Sequence, residues 1–182
     1  MTKENKKVKE FKDNDQKKAN KDIFLDYMPY IIIIVMVIIL RSFIATPVRV
    51  NGPSMETTLK SGETMILNKL GMKVKGLNRF DIVVIKIEDN YLIKRIIGLP
   101  GESIMYEESK LYINGRNIED KFSKTVTEDF EEVKLENDEY FLMGDNRFES
   151  QDSRAFGPIK KSQIIGKTNL ILFPFKRMGK VK

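Results

Sequence analysis

The chain has 182 residues, enough for one domain of ordinary size or for a small domain with an appendage. It contains no histidine and no cysteine, which excludes a Ser-His-Asp triad, a Cys-His nucleophile, disulfide bonds, and zinc or iron–sulfur sites built on those residues. The net charge of +6 lies at the chain ends, +3 in residues 1–22 and +4 in residues 176–182, and the body carries −1, which argues against a nucleic-acid partner.

Residues 1–22 are rich in Lys, Asp and Asn and are predicted to be a disordered, basic cytoplasmic tail. Residues 23–45 are predicted to be a transmembrane anchor. The run 27–40 is uncharged and apolar on every helical face, and flanking apolar residues extend it to about 20 if Arg41 snorkels. The eight lysines before it orient the N-terminus to the cytoplasm, so a single pass through the cell membrane leaves the rest of the chain outside.

A basic tail followed by an apolar run also matches a cleaved signal peptide. A cleavage site needs a small-x-small pattern, and Phe43 and Ile44 interrupt it, although Ala45 keeps this alternative open. We expect the uncleaved anchor.

Residues 46–175 are predicted to be an extracytoplasmic, mainly β domain, followed by a basic tail at 176–182. Short β-branched runs bounded by turn formers predict antiparallel sheets in a barrel-like or sandwich arrangement. The turn pair Asp89-Asn90 joins two such runs in a predicted hairpin, and Asn114-Gly115 is a strong type I′ hairpin signal. Residues 119–138 are acidic and weakly patterned, which predicts an exposed excursion. The expected strands are 81–88, 91–97, 103–107, 110–113, 116–118, 139–143 and 163–173.

The segment after the anchor contains the first candidate for chemistry. Gly52 and Pro53 fix the backbone just before Ser54, which would present its hydroxyl on a rigid turn and leave backbone N–H groups free to bind an anion. The alternative is that Ser54 simply caps a helical turn.

Lys94 is the second candidate, because it lies within an apolar strand. Strand alternation places Leu92, Lys94 and Ile96 on one face and Arg95 on the other. Burial between aliphatic side chains favours the neutral amine, which accepts a proton. Without histidine, a general base must be Asp, Glu, Lys, Tyr or a terminal amine. The alternative is a surface lysine that snorkels.

The third candidate is the segment 144–157, in which opposite charges are mixed with turn formers and no apolar period is present. It is predicted to be a loop pinned by ion pairs, with Ser150 and Ser153 as hydroxyl donors or acceptors. A loop that is merely solvated is the alternative. The charged residues are Asp145, Arg147, Asp152 and Arg154.

Together these segments resemble the type I signal peptidases, membrane-anchored Ser/Lys proteases that remove signal peptides from exported proteins, in their short single-anchor bacterial form. The resemblance extends from the anchor to about Phe173 and depends on four motifs in a fixed order. They are Gly52-Pro53-Ser54-Met55 with Thr58-Leu59, then Arg79 to Val84, then Lys94 to Glu102, then Gly144 to Arg147 with Ser150, Asp152 to Arg154 and Phe156-Gly157.

The resemblance implies that Ser54 is the nucleophile, Lys94 its general base, and Ser150 the hydroxyl that orients the lysine. It implies substrates that are secretory preproteins with small residues at positions −1 and −3 of the cleavage site, bound as an added strand beside the β-sheet, with the lipid bilayer as a second partner. It implies no cofactor, although composition alone leaves a carboxylate-held Mg²⁺ or Ca²⁺ open. The residues that it implies for the framework of the site are Arg95, Asp145, Arg147, Asp152 and Arg154.

Two positions depart from the family pattern. Thr57 stands where the family usually has proline, and we expect this to alter the turn rather than the chemistry. Gly52 stands where some relatives have a serine whose hydroxyl completes the oxyanion hole. The Ser54 backbone N–H must therefore supply more of the stabilisation of the oxyanion.

Two other functions remain as alternatives. A catalytically inactive, membrane-tethered β module that binds partners would not need both Ser54 and Lys94. A Ser/Lys self-cleaving, repressor-like protease would need an N-terminal DNA-binding domain, where residues 1–45 offer an anchor instead.

Overall fold

The computed structural model describes residues 24–38, 45–123 and 125–181. The predicted tail 1–22 and residues 23 and 39–44 of the predicted anchor lie outside this set. Residues 24–38 form helix α1, and all of its side chains are exposed. Within the described ranges, no helix is both long enough and apolar enough to cross a membrane.

Residues 45–181 form short strands with few helical residues between them. The strands are β1 (Ala45–Arg49), β2 (Thr64–Asn68), β3 (Ile82–Ile87), β4 (Asn90–Gly98), β5 (Ser103–Glu107), β6 (Lys110–Ile113), β7 (Arg116–Ile118), β8 (Phe130–Lys134), β9 (Glu139–Met143), β10 (Ile159–Lys160), β11 (Ile164–Phe173) and β12 (Gly179–Lys180). The helices are α2 (Lys69–Lys75) and α3 (Ser153–Phe156), with single 3₁₀ turns at Lys161–Gln163 and Phe175–Arg177.

Two hairpins form where the turn residues predict them. β3 pairs with β4 along its whole length, from Ile82 opposite Arg95 to Ile87 opposite Asn90. β6 and β7 are joined by Asn114 and Gly115, whose φ angles of 50° and 72° are both positive, as a type I′ turn requires. Both hairpin predictions are confirmed.

The strands form two antiparallel sheets. The larger has the order β1-β2-β11-β3-β4-β9-β10, with β12 paired to β11, and the smaller has the order β7-β6-β5-β8. The prediction of a mainly antiparallel β fold is therefore confirmed. The larger sheet is open, with β1 and β10 at its ends, so the described strands do not close into a barrel.

The smaller sheet packs on β4 and β9 of the larger sheet through one hydrophobic cluster. Ile97 of β4 and Phe141 and Met143 of β9 lie in this cluster with buried residues of β5 and β6. The ring of Phe130 on β8 stacks on that of Phe141, with their centroids 5.3 Å apart. β4, the strand that carries Lys94, is thus flanked by β3 and β9 in its own sheet, and the smaller sheet packs against its C-terminal end.

The prediction of an exposed excursion at 119–138 holds for most of its described residues, whose side chains are exposed, but the segment is not exposed throughout. The segment contains β8, which pairs with β5, and it buries Thr127 and Leu135. The side chain of Asp120 is 5% exposed and pairs with Arg147, itself buried. The acidic composition did not indicate this, because the partners of these residues lie on distant segments.

Three segments meet where the candidate residues lie. β4 carries Lys94 and Arg95, and it lies between β3 and β9. β9 ends at Met143, directly opposite Arg95, so the loop that follows begins beside β4. The connection between β1 and β2 carries Ser54, whose carbonyl oxygen accepts a hydrogen bond from the N–H of Asn146 in that loop at 3.1 Å.

Candidate active site

Ser54 lies on a compact turn that the hydrophobic core holds in place. The Glu56 N–H donates to the Pro53 carbonyl oxygen at 2.9 Å, and the Leu59 N–H donates to that of Met55 at 2.8 Å. Met55 and Leu59 are fully buried, which anchors the turn from below. Within the described part of the chain, the Ser54 hydroxyl caps no backbone N–H, so its role as a helix cap has no support.

A cleft of about 490 Å³ contains both Ser54 and Lys94 in its lining. Its apolar wall comes from Ile87, Leu92 and Phe156. The described residues show no hydrogen bond between the Ser54 hydroxyl and the Lys94 amine; the structure places the two groups in one cleft.

Lys94 is buried, with 3% of its surface exposed. Its Nζ donates a hydrogen bond to Ser150 Oγ at 3.1 Å. Burial lowers the pKa of Lys94 to about 8; the Arg154 charge also lowers it, while the Asp152 charge acts in the opposite direction. Roughly a fifth of the amine is therefore neutral at pH 7.4, against about one in a thousand for a lysine that snorkels to solvent.

Arg95 and Asp145 form a buried, bidentate ion pair on the other face of β4. Arg95 Nε donates to Asp145 Oδ1 at 2.7 Å, and Arg95 Nη2 donates to Asp145 Oδ2 at 2.6 Å. The guanidinium also donates to the Phe80 carbonyl oxygen at 2.7 Å and stacks on the Phe122 ring at 3.6 Å. The Thr58 hydroxyl donates to the same carboxylate, so this pair connects β4, the loop after β9 and the turn of Ser54.

Asp152 and Arg154 form a second pair within the loop. Asp152 Oδ2 accepts from the Gly144 N–H at 3.0 Å, and its carboxylate accepts two hydrogen bonds from the Arg154 guanidinium, each 2.9 Å long. Burial acts to raise the pKa of Asp152, but the hydrogen bonds from Arg154 and Gly144 outweigh it and hold this pKa below its usual value. Asp152 is thus a permanent negative charge that shapes the loop around Ser150.

Arg147 connects the loop to the smaller sheet. Its Nε donates to the Gly144 carbonyl oxygen at 2.9 Å, and its Nη1 donates to Tyr106 OH at 2.7 Å and to Thr127 Oγ1 at 3.0 Å. Its Nη2 pairs with Asp120. With only 1% of its side chain exposed, Arg147 depends on these partners to offset its desolvation.

The structure thus brings Ser54, Lys94 and Ser150 to one place and puts all five charged candidates around it. Several supporting residues were missed by the sequence reasoning. Thr58 lies in the first of the four motifs, where no role was assigned to it. Tyr106, Asp120 and Thr127 are 20 to 41 residues from Arg147 in the chain. No local spacing signals such contacts, because they depend on how the two sheets pack.

Support for the turn of Ser54 also comes from the predicted C-terminal basic tail. Arg177 Nη2 donates to the Thr58 carbonyl oxygen at 3.0 Å, and Arg177 Nη1 lies 2.7 Å from Oε1 of the buried Glu63. This contact is an ion pair without the alignment of a hydrogen bond. Across the described ranges, no group of three or more acidic side chains is arranged to hold a metal ion.

Comparison with known proteins gives one family. The family described as signal peptidase, peptidase S26, matches residues 24–173. A signal peptidase I of Bacillus amyloliquefaciens is 36% identical over 184 residues, which cover 94% of this chain and 100% of the relative. Signal peptidase I T of Bacillus subtilis is 36% identical over 186 residues, which cover 93% of this chain and 96% of the relative. A crystal structure of a signal peptidase I from Enterococcus faecalis is 32% identical and covers 50% of this chain and 95% of its own, with a TM-score of 0.46.

Proposed function

The chain belongs to the signal peptidases of the peptidase S26 family, and from that premise we propose how its residues cleave the signal peptides of preproteins. Ser54 is the nucleophile and Lys94 is its general base. The observation that carries this assignment is that a buried lysine and a serine on a rigid turn line one cleft, in a chain that has no histidine.

The neutral Lys94 amine takes the proton of the Ser54 hydroxyl as its oxygen attacks the scissile carbonyl. The tetrahedral intermediate collapses when the Lys94 ammonium returns the proton to the leaving amine, which releases the mature protein and leaves an acyl-enzyme on Ser54. Water, deprotonated by Lys94, then hydrolyses the ester and frees the signal peptide. Each step needs an amine whose pKa is near neutrality, and burial lowers that of Lys94 to about 8.

Ser150 orients the lysine. The hydrogen bond from Lys94 Nζ to Ser150 Oγ uses one amine proton and restricts rotation of the amine, so that its lone pair can be directed at Ser54. The framework consists of the pairs Arg95–Asp145 and Asp152–Arg154, together with Arg147, which hold the three site segments against one another.

The substrate specificity that we propose is for small residues at positions −1 and −3, with the preprotein bound as an extended strand. Ile87, Leu92 and Phe156 support the binding of uncharged side chains at these positions, because they line the cleft beside Ser54 with apolar surface. We propose no cofactor and no nucleic-acid partner.

We also propose that residues 23–45 anchor the enzyme in the cell membrane in a single pass, with 1–22 in the cytoplasm and the catalytic domain, 46–175, outside. The uncharged run 27–40 and the eight lysines before it support this topology. Exposed Phe173, Phe175 and Met178 next to the basic end 176–182 suit contact with a lipid bilayer.

The dyad is tested by single and double substitutions. Ser54→Ala and Lys94→Ala should each lower kcat/KM on a preprotein by at least about 10³-fold, and the double variant should be no worse than either, because the two residues act as one unit. Matched controls are Ser162→Ala and Lys110→Ala, which remove an exposed serine and an exposed lysine and should change nothing.

Turnover near the wild-type level in either dyad variant would remove that residue from its role. An inactive wild-type chain would instead favour the binding module. Cleavage of the chain itself, with no action on preproteins, would favour the repressor-like protease.

A further inference from the structure

Asn146 contacts the backbone on both sides of Ser54. Its backbone N–H donates to the Ser54 carbonyl oxygen at 3.1 Å, and its Nδ2 donates to the Pro53 carbonyl oxygen at 3.4 Å. The two peptide groups that flank the nucleophile are therefore both held by one residue of the loop after β9. No residue of the framework described above makes this pair of contacts.

These contacts fix the direction of the Ser54 N–H. In a trans peptide the C=O and N–H bonds point in opposite directions, and the Pro53–Ser54 peptide is trans. When Asn146 and Glu56 hold the Pro53 oxygen on one side, the Ser54 N–H must point to the other. Within the described ranges this N–H donates to no acceptor, and Ser54 itself lines the cleft.

The Asn146 carboxamide is itself held in one orientation. Nδ2 also donates to Glu149 Oε2 at 3.0 Å, while Oδ1 accepts from the Glu149 N–H at 3.4 Å. Reversal of the amide would put its oxygen against both the Glu149 carboxylate and the Pro53 carbonyl oxygen, which is unfavourable. Glu149 thus keeps the NH₂ group facing Pro53.

We propose that Asn146, oriented by Glu149, is a positioning residue that directs the Ser54 N–H at the oxyanion formed on the scissile carbonyl. The inference rests on the proposed function, because it needs Ser54 as the nucleophile. The requirement is chemical: Gly52 offers no hydroxyl to the oxyanion, so the direction of this backbone donor matters more.

The proposal predicts a separation of kcat from KM. Negative charge on the carbonyl oxygen is much larger in the transition state than in the bound substrate, so a misdirected N–H weakens transition-state binding most. Asn146→Asp keeps the side-chain shape and the backbone N–H, but it removes the Nδ2 donor and adds a carboxylate next to Glu149. We expect kcat to fall about 10- to 100-fold while KM stays within about twofold.

Two further variants make the experiment decisive. Glu149→Gln leaves Asn146 intact and only weakens its orientation, so kcat should fall less, about two- to fivefold, with KM again unchanged. Asn117→Asp makes the same chemical change at an exposed position on β7, in the other sheet, and should have no effect. Values of kcat are compared on the high-pH plateau, because Asn146→Asp adds a charge next to Glu149 and Glu149→Gln removes one from the cleft that contains Lys94, and either change can shift the pKa of Lys94 through space.

The proposal is overturned if Asn146→Asp raises KM at constant kcat, or if it leaves the plateau value of kcat unchanged. It is also overturned if the loss of kcat in both loop variants follows a matching fall in Tm, since the role is then only structural. Should Asn146→Asp fail to fold, Glu149→Gln decides by the same criteria. Failure of the proposed function is seen separately, as wild-type turnover by Ser54→Ala.

Discussion

At the scale of single residues, the environment of Lys94 predicts the pH dependence of the enzyme. In the proposed mechanism only the neutral amine takes the Ser54 proton, and burial lowers the pKa of Lys94 to about 8. Values of kcat/KM on a signal-peptide substrate between pH 5 and 10 should therefore rise with pH, about tenfold per unit below a midpoint near 8, and level off above it.

The alternative base is a carboxylate, which would give a rise near pH 4–5 and a plateau above it. A profile that is already flat at pH 6 would contradict the assignment of Lys94.

Gly144 shows why the sequence predicted the members of the site but not how they fit together. Its place in the last motif was evident, whereas its structural role was not. A Cβ at this position would collide with the Ser54 carbonyl oxygen and the Ser150 hydroxyl, so two segments meet here over bare backbone. Spacing along the chain shows which residue types recur, but not such a close approach between segments about 90 residues apart.

At the scale of elements, the sequence was sufficient to predict contacts between strands that follow each other directly in the chain. The β3–β4 and β6–β7 hairpins follow from β-branched runs and from turn residues, and alternation along β4 correctly separates Lys94 from Arg95. It did not predict that both faces of β4 are buried, with Arg95 3% exposed, because that depends on Asp145 and Phe122 from other segments.

The buried ion pair between Arg147 and Asp120 connects the loop after β9 to the smaller sheet, and its contribution to stability can be measured. Asp120→Asn would leave a buried guanidinium without its counter-charge, which typically destabilises a protein by about 3–5 kcal/mol. We expect Tm to fall by roughly 10 °C. We also expect a lower kcat below the transition, because Arg147 holds the Gly144 carbonyl oxygen. Thermal unfolding monitored by circular dichroism measures the first effect.

Glu119→Gln is the matched control for this variant. Glu119 precedes Asp120 in the chain, and its side chain is 79% exposed. Its Oε2 lies 3.7 Å from Nζ of Lys121, whose side chain is also exposed. Its substitution should move Tm by less than about 1 °C. An equal effect of both variants would show that the buried pair has no special importance.

At the scale of the whole molecule, the described part of residues 43–182 is one compact unit that contains every candidate site residue. Deletion of residues 1–42 should therefore leave a folded domain that still cleaves a signal-peptide substrate. Exposed Phe173, Phe175 and Met178 should make this domain aggregate without detergent. Circular dichroism, gel filtration and a cleavage assay, each with and without detergent, check these outcomes.

A deletion variant that is unfolded even in detergent would contradict the boundary. A variant that is folded and monodisperse in plain buffer would instead contradict the role given to the exposed apolar side chains.

The burial of Lys94 also has a consequence for how such a protein evolves. A lysine whose pKa falls from 10.5 to about 8 on folding destabilises the native state by about 3 kcal/mol at neutral pH. The sign follows from proton binding: the unfolded chain binds the proton between those two pH values and the folded chain does not, so this loss of stability is complete below pH 8 and disappears towards pH 10.5. A duplicated gene copy released from selection for turnover gains stability by replacing this lysine with methionine. With Lys94 as the proposed general base, selection for catalysis is needed to balance this thermodynamic bias towards its loss.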